Sequence, residues 1–526
     1  MKVKIIIGLW VWIGIACQQK EVQPPNILFA IADDASWAHM GAYGCDWVKT
    51  PGFDRVAKEG LLFMNAYTPN AKCAPSRACI LTARNTWQLE EACNHSPAFP
   101  KQFASYMEVL GKHGYNTGFT GKGWGPGDAG EIDGKPRLLT GPVFKSKTTK
   151  PPTSMMSGTD YAENFDDFLQ ATSSEKPWCF WYGGHEPHRK YEYGSSISKG
   201  GKKLEDIDKV PDFWPDTDSV RTDMLDYAYE IEYFDQHLVK MIDRLDSLGQ
   251  LDNTIIVVTA DNGMPFPRIK GQEYEYSNHL PLAIMWPNGI KKPGRKVEDL
   301  VSFIDLAPTF LEAAGVAWST SGMSESPGKS LITIFSQSVN EVFRDFVVFG
   351  KERHDVGRPQ DQGYPIRGIT KDGYLFVKNY EPNRWPVGNP ETGYLNTDGG
   401  ATKTFILNMR RNRVDSGYWQ MNFGKRPVEE LYNIKKDPFC MDNLTDNGDY
   451  VHVKHALKEH LFATLREEGD PRVFGQSDYF EKMPYNGAVQ GMYERFMSGE
   501  KINTGWVNDS DYETEMILDE QLERAK

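Results

Sequence analysis

Two short acidic runs stand at the ends of apolar stretches: Asp33-Asp34 follows Asn26–Ala32, and Asp261-Asn262-Gly263 follows Thr254–Ala260. Alone, each reads as an ordinary cap or turn. Together they offer three carboxylates and an amide oxygen, a hard-oxygen set for one divalent cation, Ca²⁺ ahead of Mg²⁺. Carboxylates at the end of a buried strand are costly unless something positive lies between them. A third run, Cys73-Ala-Pro-Ser-Arg77, has a proline suited to the first turn of a helix. That places Cys73 at a helix N-terminus, where free N–H groups favour negative charge on the side chain or on a bound oxyanion. The plain alternative is a buried free cysteine before an ordinary helix. His185-Glu186-Pro187-His188-Arg189 follows the apolar run Trp178–Tyr182, and two histidines at one strand end suit proton transfer.

The elements that must position these residues are strands alternating with helices. Unbroken apolar runs at Asn26–Ala32, Tyr115–Thr120, Trp178–Tyr182, Thr254–Ala260, Leu280–Met285 and Phe346–Phe349 read as buried strands. Met224, Ala228, Ile231, Phe234, Leu238, Met241 and Leu245 repeat at helical spacing up to a stop at Gly249. The pattern predicts an α/β fold, with a mostly parallel sheet covered on both faces and ligands gathered at its carboxyl edge. Residues 123–157 and 194–220 read as long loops over that edge. From residue 366 short strands (Tyr374–Lys378, Glu430 onward) and a helix near His455–Glu468 predict a smaller α+β domain over 366–526. The large domain would span 25–365. The stretch Asp511–Lys526 reads as an acidic, solvated helix.

The chain has 526 residues, 59 Lys+Arg against 72 Asp+Glu, and a formal charge of −13. Such a balance argues against nucleic acid as a partner, because nothing supplies long-range attraction to phosphate. A small anionic substrate needs only a locally positive site. Residues 1–17 have two lysines, a short apolar run and Ala16 before Cys17. The run falls short of the roughly 20 residues that span a bilayer. It reads as an export signal with Cys17 as a lipidation candidate, hence an exported bacterial protein, periplasmic or tethered to a membrane by lipid alone. Cys45, Cys73, Cys79, Cys93, Cys179 and Cys440 are too sparse for a disulfide scaffold, and their pairing is open.

The Cys73–Arg77 run, followed by Ala-Cys-Ile-Leu-Thr-Ala-Arg84, resembles the sulfatase signature, in which the cysteine is oxidised to formylglycine by a maturing enzyme. The family's fold is alkaline-phosphatase-like, and its divalent ion is bound at the positions of Asp33, Asp34, Asp261 and Asn262 beside residue 73. By the same resemblance Arg77 supports the formylglycine, Lys122 and Lys270 are cations aimed at sulfate, and His188 protonates the leaving group. Arg268 competes with Lys270 for its role. Asp261-Asn-Gly-Met-Pro-Phe-Pro267, the His185–Arg189 run, Phe349-Gly350, Tyr364-Pro-Ile-Arg367 and Lys436-Asp437-Pro438 are similar to the N-sulfoglucosamine sulfohydrolase (heparan N-sulfatase, sulfamidase) branch of that family. That likeness implies a glycan pocket with Glu186 and Arg189, and more distantly Arg353 and His354, as substrate-binding residues.

The implied activity is exo-hydrolysis of sulfate from glycosaminoglycan fragments, the N-sulfate of glucosamine in heparan first, by a formylglycine hydrate and a divalent metal, in a chain that can form a homodimer. Two departures leave other readings open: Lys270 stands where that branch has arginine, and Trp124 where the family commonly has a histidine two residues after the lysine. The missing base leaves His95, His113 and His185 as unranked substitutes. An O-sulfatase on another sugar, such as a 6-O-sulfated hexosamine, a phosphonate or phosphate ester hydrolase, and a catalytically silent sulfated-glycan-binding protein are the alternatives.

Overall fold

The structure, a computed structural model, describes residues 23–173, 175–336 and 342–513, so Cys17 and the tail beyond residue 513 lie outside the described residues. Seven strands form the central sheet: β1 (Asn26–Ala32), β2 (Leu61–Tyr67), β3 (Asn116–Gly121), β4 (Trp178–Gly183), β5 (Thr254–Ala260), β6 (Leu282–Met285) and β7 (Arg295–Ser302). Their order is β3-β4-β1-β5-β6-β2-β7. β1 lies between β4 and β5, parallel to both, with Ile27 opposite Cys179 on one side and Ile255 on the other. In this sheet β6 alone runs against its neighbours.

Successive side chains of β1 feed opposite cores, as strand geometry requires. Leu28, Ala30 and Ala32 pack with the long helix behind them, while Ile27, Phe29 and Ile31 pack with the helix that starts at Cys73. The first of these helices is Asp218–Ser247 and the second Cys73–Thr82. The long helix begins ahead of its amphipathic pattern because the Thr217 hydroxyl accepts the Val220 N–H, capping a polar first turn.

A second sheet is antiparallel throughout, with β8 (Phe346–Lys351), β9 (Ile366–Lys371), β10 (Tyr374–Asn379) and β11 (Glu429–Asn433) in sequence order. The helix Val451–Glu467 covers it through Leu457, Leu461 and Leu465. Phe346–Phe349, expected among the parallel strands, therefore belongs here, paired with β9. The smaller sheet starts ahead of the expected boundary at 366. A short apolar run looks the same in either sheet, and only its partner decides. Likewise the run Leu280–Met285 holds a strand, β6, but an antiparallel one. The stretch expected to be solvated from Asp511 begins buried, with Asp511 paired to Lys403 at 3.2 Å.

The carboxyl edge of the sheet is where the chain crowds. The Lys122 N–H donates to Gly183 O at 2.7 Å, and a Cβ on Gly183 would sit 1.8 Å from Lys122 O. Glycine is required there so that β3 and β4 end side by side. Gly183→Ala is expected to cost about 1–3 kcal/mol in denaturant unfolding, and an unchanged midpoint would contradict this close approach.

Candidate active site

β1 and β5 are adjacent, so their acidic ends meet. The ligand atoms of Asp33, Asp34, Cys73 and Asp261 all lie within 4.8 Å of one another, and all four residues are buried. Asp34 holds φ at 80°, a left-handed value unusual for a non-glycine residue. Its N–H donates to Asp261 Oδ1 at 3.1 Å, which fixes the turn against the neighbouring strand end. Gly263 completes the second corner, since a Cβ there would lie 2.1 Å from Tyr276 O.

Cations surround this cluster. Lys122 Nζ donates to both oxygens of Asp33, at 2.8 and 2.6 Å. Arg77 Nε donates to Asp261 Oδ2 at 2.8 Å, and its Nη1 to the carbonyls of Lys122 and Gly123. Lys270 Nζ bridges Asp34 Oδ2 at 2.7 Å and Asp398 Oδ2 at 2.6 Å. Burial opposes charge on Asp33, yet Lys122, His188 and Arg77 hold its carboxyl well below the usual range. Burial, and then the neighbouring Asp33, push Asp261 the other way. Two carboxylates this close cannot both ionise freely without a further positive charge between them.

The donor set fits a divalent cation. Three carboxylates converge, and Asn262 Oδ1 is buried without a hydrogen-bond partner, leaving an amide oxygen free to ligate. Cys73 begins its helix behind Lys72, as the proline implied, with Sγ 3.8 Å from Asp34 Oδ1 and 3.7 Å from Asn262 Nδ2. Burial first, with Asp33, Asp261 and Asp34 adding to it against Lys122, raises its thiol, so an unmodified Cys73 is a neutral, weak nucleophile.

A cavity of about 810 Å³ opens over this cluster. His188, partly exposed, reaches it from the loop after β4. Its Nδ1–H donates to Arg189 O at 2.7 Å, so Nε2 faces inward, 3.8 Å from Asp34 and 4.0 Å from Asp398. Glu186 lines the wall, its oxygens accepting from Ser157 N–H at 2.7 Å and the Tyr161 hydroxyl at 2.9 Å, and burial pushes its carboxyl up to about 6.

The other substrate candidates fare differently. Arg189 borders the cavity, but Asp223 grips its guanidinium at 2.7 and 2.8 Å and Pro265 O accepts from Nε. Arg353 and His354 do not line the cavity: Arg353 donates to the carbonyls of Met483 and Pro484, and His354 bonds Asn70 Oδ1. The next residue, Asp355, does reach it, holding Lys72 Nζ at 2.7 Å and His95 Nδ1 at 2.9 Å. Arg268 turns away to the carbonyls of Met421 and Cys440, leaving Lys270 as the cation.

Trp124 fills the place of the absent histidine. Its Nε1–H donates to Ala74 O at 3.1 Å and its ring packs edge-on against Phe99. Of the substitutes, His113 is exposed on a helix end bonded to Val109 O, whereas His95 and His185 line the cavity. Asp128 pairs with Pro97, so the His95 segment lies against the loop that carries Trp124. Lys72, Asp355, Asp398 and the wall around Tyr485 and Trp506 went unread in the sequence. Lys72 adjoins Cys73 and was the one with a local signal.

A mostly parallel sheet with acids, a cysteine at a helix start and facing cations at its carboxyl edge defines a hydrolase of the alkaline-phosphatase-like fold. Residues 25–316 match the family described as Sulfatase, and residues 270–387 match the one described as N-sulphoglucosamine sulphohydrolase, C-terminal. The chain belongs to the sulfatase family and is a sulfuric ester hydrolase. It is 27% identical over 465 residues to an ulvan-active sulfatase of Formosa agariphila, covering 85% of this chain and 81% of that protein. To human N-sulphoglucosamine sulphohydrolase it is 25% identical over 492 residues, covering 88% and 93%. A solved structure bound to its substrate D-glucosamine-2-N,6-O-disulfate shares the fold at a TM-score of 0.60 and 19% identity, over 88% of this chain and 100% of that one.

Lys270 is shared by two buried carboxylates, so removing it should be severe. In chelator-treated protein, Lys270→Met is expected to lose about 3–5 kcal/mol of unfolding free energy, with Asp398→Asn in the same chain restoring part of it. A loss below about 1 kcal/mol would contradict the assigned pairing.

Proposed function

We propose that the protein is an exo-acting sulfatase that removes the N-sulfate from the non-reducing glucosamine of heparan-type glycosaminoglycan fragments. The observation that carries the catalytic part is the meeting of Asp33, Asp34 and Asp261 around residue 73. The glucosamine N-sulfate is supported by the match over residues 270–387 and by the human relative that spans most of both chains. A cavity of about 810 Å³ suits one or two sugar rings rather than a long chain.

In this reading Asp33, Asp34, Asp261 and Asn262 hold a divalent ion, Ca²⁺ by the hardness of the donors, and Cys73 is matured to formylglycine by a dedicated enzyme. The formylglycine hydrate supplies the oxygen nucleophile, and the ion supplies Lewis-acid stabilisation of charge on sulfate. The side chains do the rest. Lys122 and Lys270 bond different carboxylates of the acidic cluster, Asp33 and Asp34, and face negative charge developing on the sulfate oxygens. Arg77 orients Asp261 and tethers the Lys122 backbone. His188 Nε2 donates the proton that the departing nitrogen needs. His95, oriented through Nδ1 by Asp355, takes the proton-accepting role that the histidine absent at Trp124 has in the family. The export signal with Cys17 suits work outside the cytoplasm.

A second reading, an O-sulfatase for a 6-O-sulfated hexosamine, is favoured by Lys270 and Trp124, where the N-sulfatase branch differs. Sulfate release from N-sulfated and from 6-O-sulfated glucosamine separates the two. The expected result is release from the N-sulfated sugar, abolished by a chelator, restored by Ca²⁺ and reduced at least about 100-fold in His188→Ala. Release from the 6-O-sulfated sugar alone would overturn the N-sulfate assignment.

A further inference from the structure

The helix Asp218–Ser247 turns three acids toward the loop that carries His188. Asp223, Asp226 and Glu230 recur at spacings of three and four, which stacks them on one helical face. Two are engaged. Asp223 clamps Arg189 and also accepts the N–H and hydroxyl of Thr402, at 2.9 and 2.7 Å. Asp226 accepts the N–H groups of Gly194 at 2.7 Å and Ser196 at 2.9 Å.

Glu230 is different. It is 2% exposed and lines the active-site cavity, yet among the described residues its carboxyl makes no hydrogen bond and no ion pair. Its neighbour across the wall, Glu186, has both oxygens occupied by Ser157 and Tyr161 and offers Glu230 no donor. A buried carboxyl without a partner is normally selected against, because its desolvation is uncompensated. Among the described residues no group supplies that partner, which leaves the cavity side.

From this geometry we infer that Glu230 is a specificity-determining residue of the sugar pocket, bonding a hydroxyl or amine of the hexosamine ring whose sulfate sits at residue 73. Burial first, then Glu186 and Asp226, push the Glu230 carboxyl well above the usual range. A protonated Glu230 both donates and accepts, which matches a sugar hydroxyl. The wall formed by Glu186 and Glu230 offers no cation to pair with a sugar that brings its own carboxylate. The pocket therefore selects amino sugars over uronic acids. This selectivity rests on the sulfatase reading and concerns a wall of the cavity apart from the acidic cluster.

The test compares wild type, Glu230→Gln and Glu230→Ala on three substrates: N-sulfated glucosamine, 2-O-sulfated uronate and an aryl sulfate that carries no sugar. Glu230→Ala is expected to raise KM for the sulfated glucosamine about tenfold, with kcat nearly unchanged. Turnover of the aryl sulfate should stay within about twofold of wild type, and wild type should leave the uronate uncleaved. Glu230→Gln, which keeps a donor and an acceptor, should recover most of the KM. An unchanged KM in Glu230→Ala, or equal losses on sugar and aryl sulfates, overturns the proposal. Wild type that releases sulfate from none of the three substrates would instead remove the sulfatase reading. Calorimetric binding of N-sulfated glucosamine to chelator-treated wild type and Glu230→Ala then judges the residue without turnover, and equal affinities would overturn it.

Discussion

Everything at the carboxyl edge of the sheet follows from placing three carboxylates at the ends of two adjacent buried strands. Such a cluster repels itself, and burial sharpens the repulsion by removing water. The fold answers with Lys122, Lys270 and Arg77, each committed to a named carboxylate. That same arrangement leaves Asn262 Oδ1 unbonded and Cys73 Sγ beside Asp34. The centre is thus built to hold positive charge, and to present it to whatever anion approaches residue 73.

The surroundings divide the labour. The loop after β4 carries His188 toward the cluster and Glu186 toward the wall, while Asp223 keeps Arg189 locked beneath it. On the other side Asp355 orients Lys72 and His95. Residues near Tyr485 and Trp506 come from far along the chain and close the cavity. A site with catalytic groups on strand ends and a wall drawn from distant segments can keep its chemistry while its sugar preference changes.

Much of this was legible beforehand. The runs at Asn26–Ala32 and Thr254–Ala260 end in acids because a strand buried on both faces leaves only its end for polar groups, so the motif and its position were readable together. Cys73 at a helix start followed from Pro75. What escaped was pairing. The antiparallel direction of Leu282–Met285 and the membership of Phe346–Lys351 in the second sheet depend on partners far away. Arg353 and His354 looked like pocket residues from the likeness, but the chain turns so that Asp355 faces the cavity instead. Asp398 lies in a stretch with no periodicity and no motif, and its contacts with Lys270 and His188 reveal it. Glu230 was hidden for the opposite cause, since an acid on an amphipathic helix ordinarily reads as solvent-facing.

The most direct measurement is intact-mass analysis under native conditions of the chain purified from its own host, followed by fragmentation of the peptide that holds residue 73. The account predicts one bound divalent ion per chain, lost in Asp261→Asn, together with formylglycine in place of the Cys73 thiol. A metal-free chain with an intact thiol at residue 73 would contradict it.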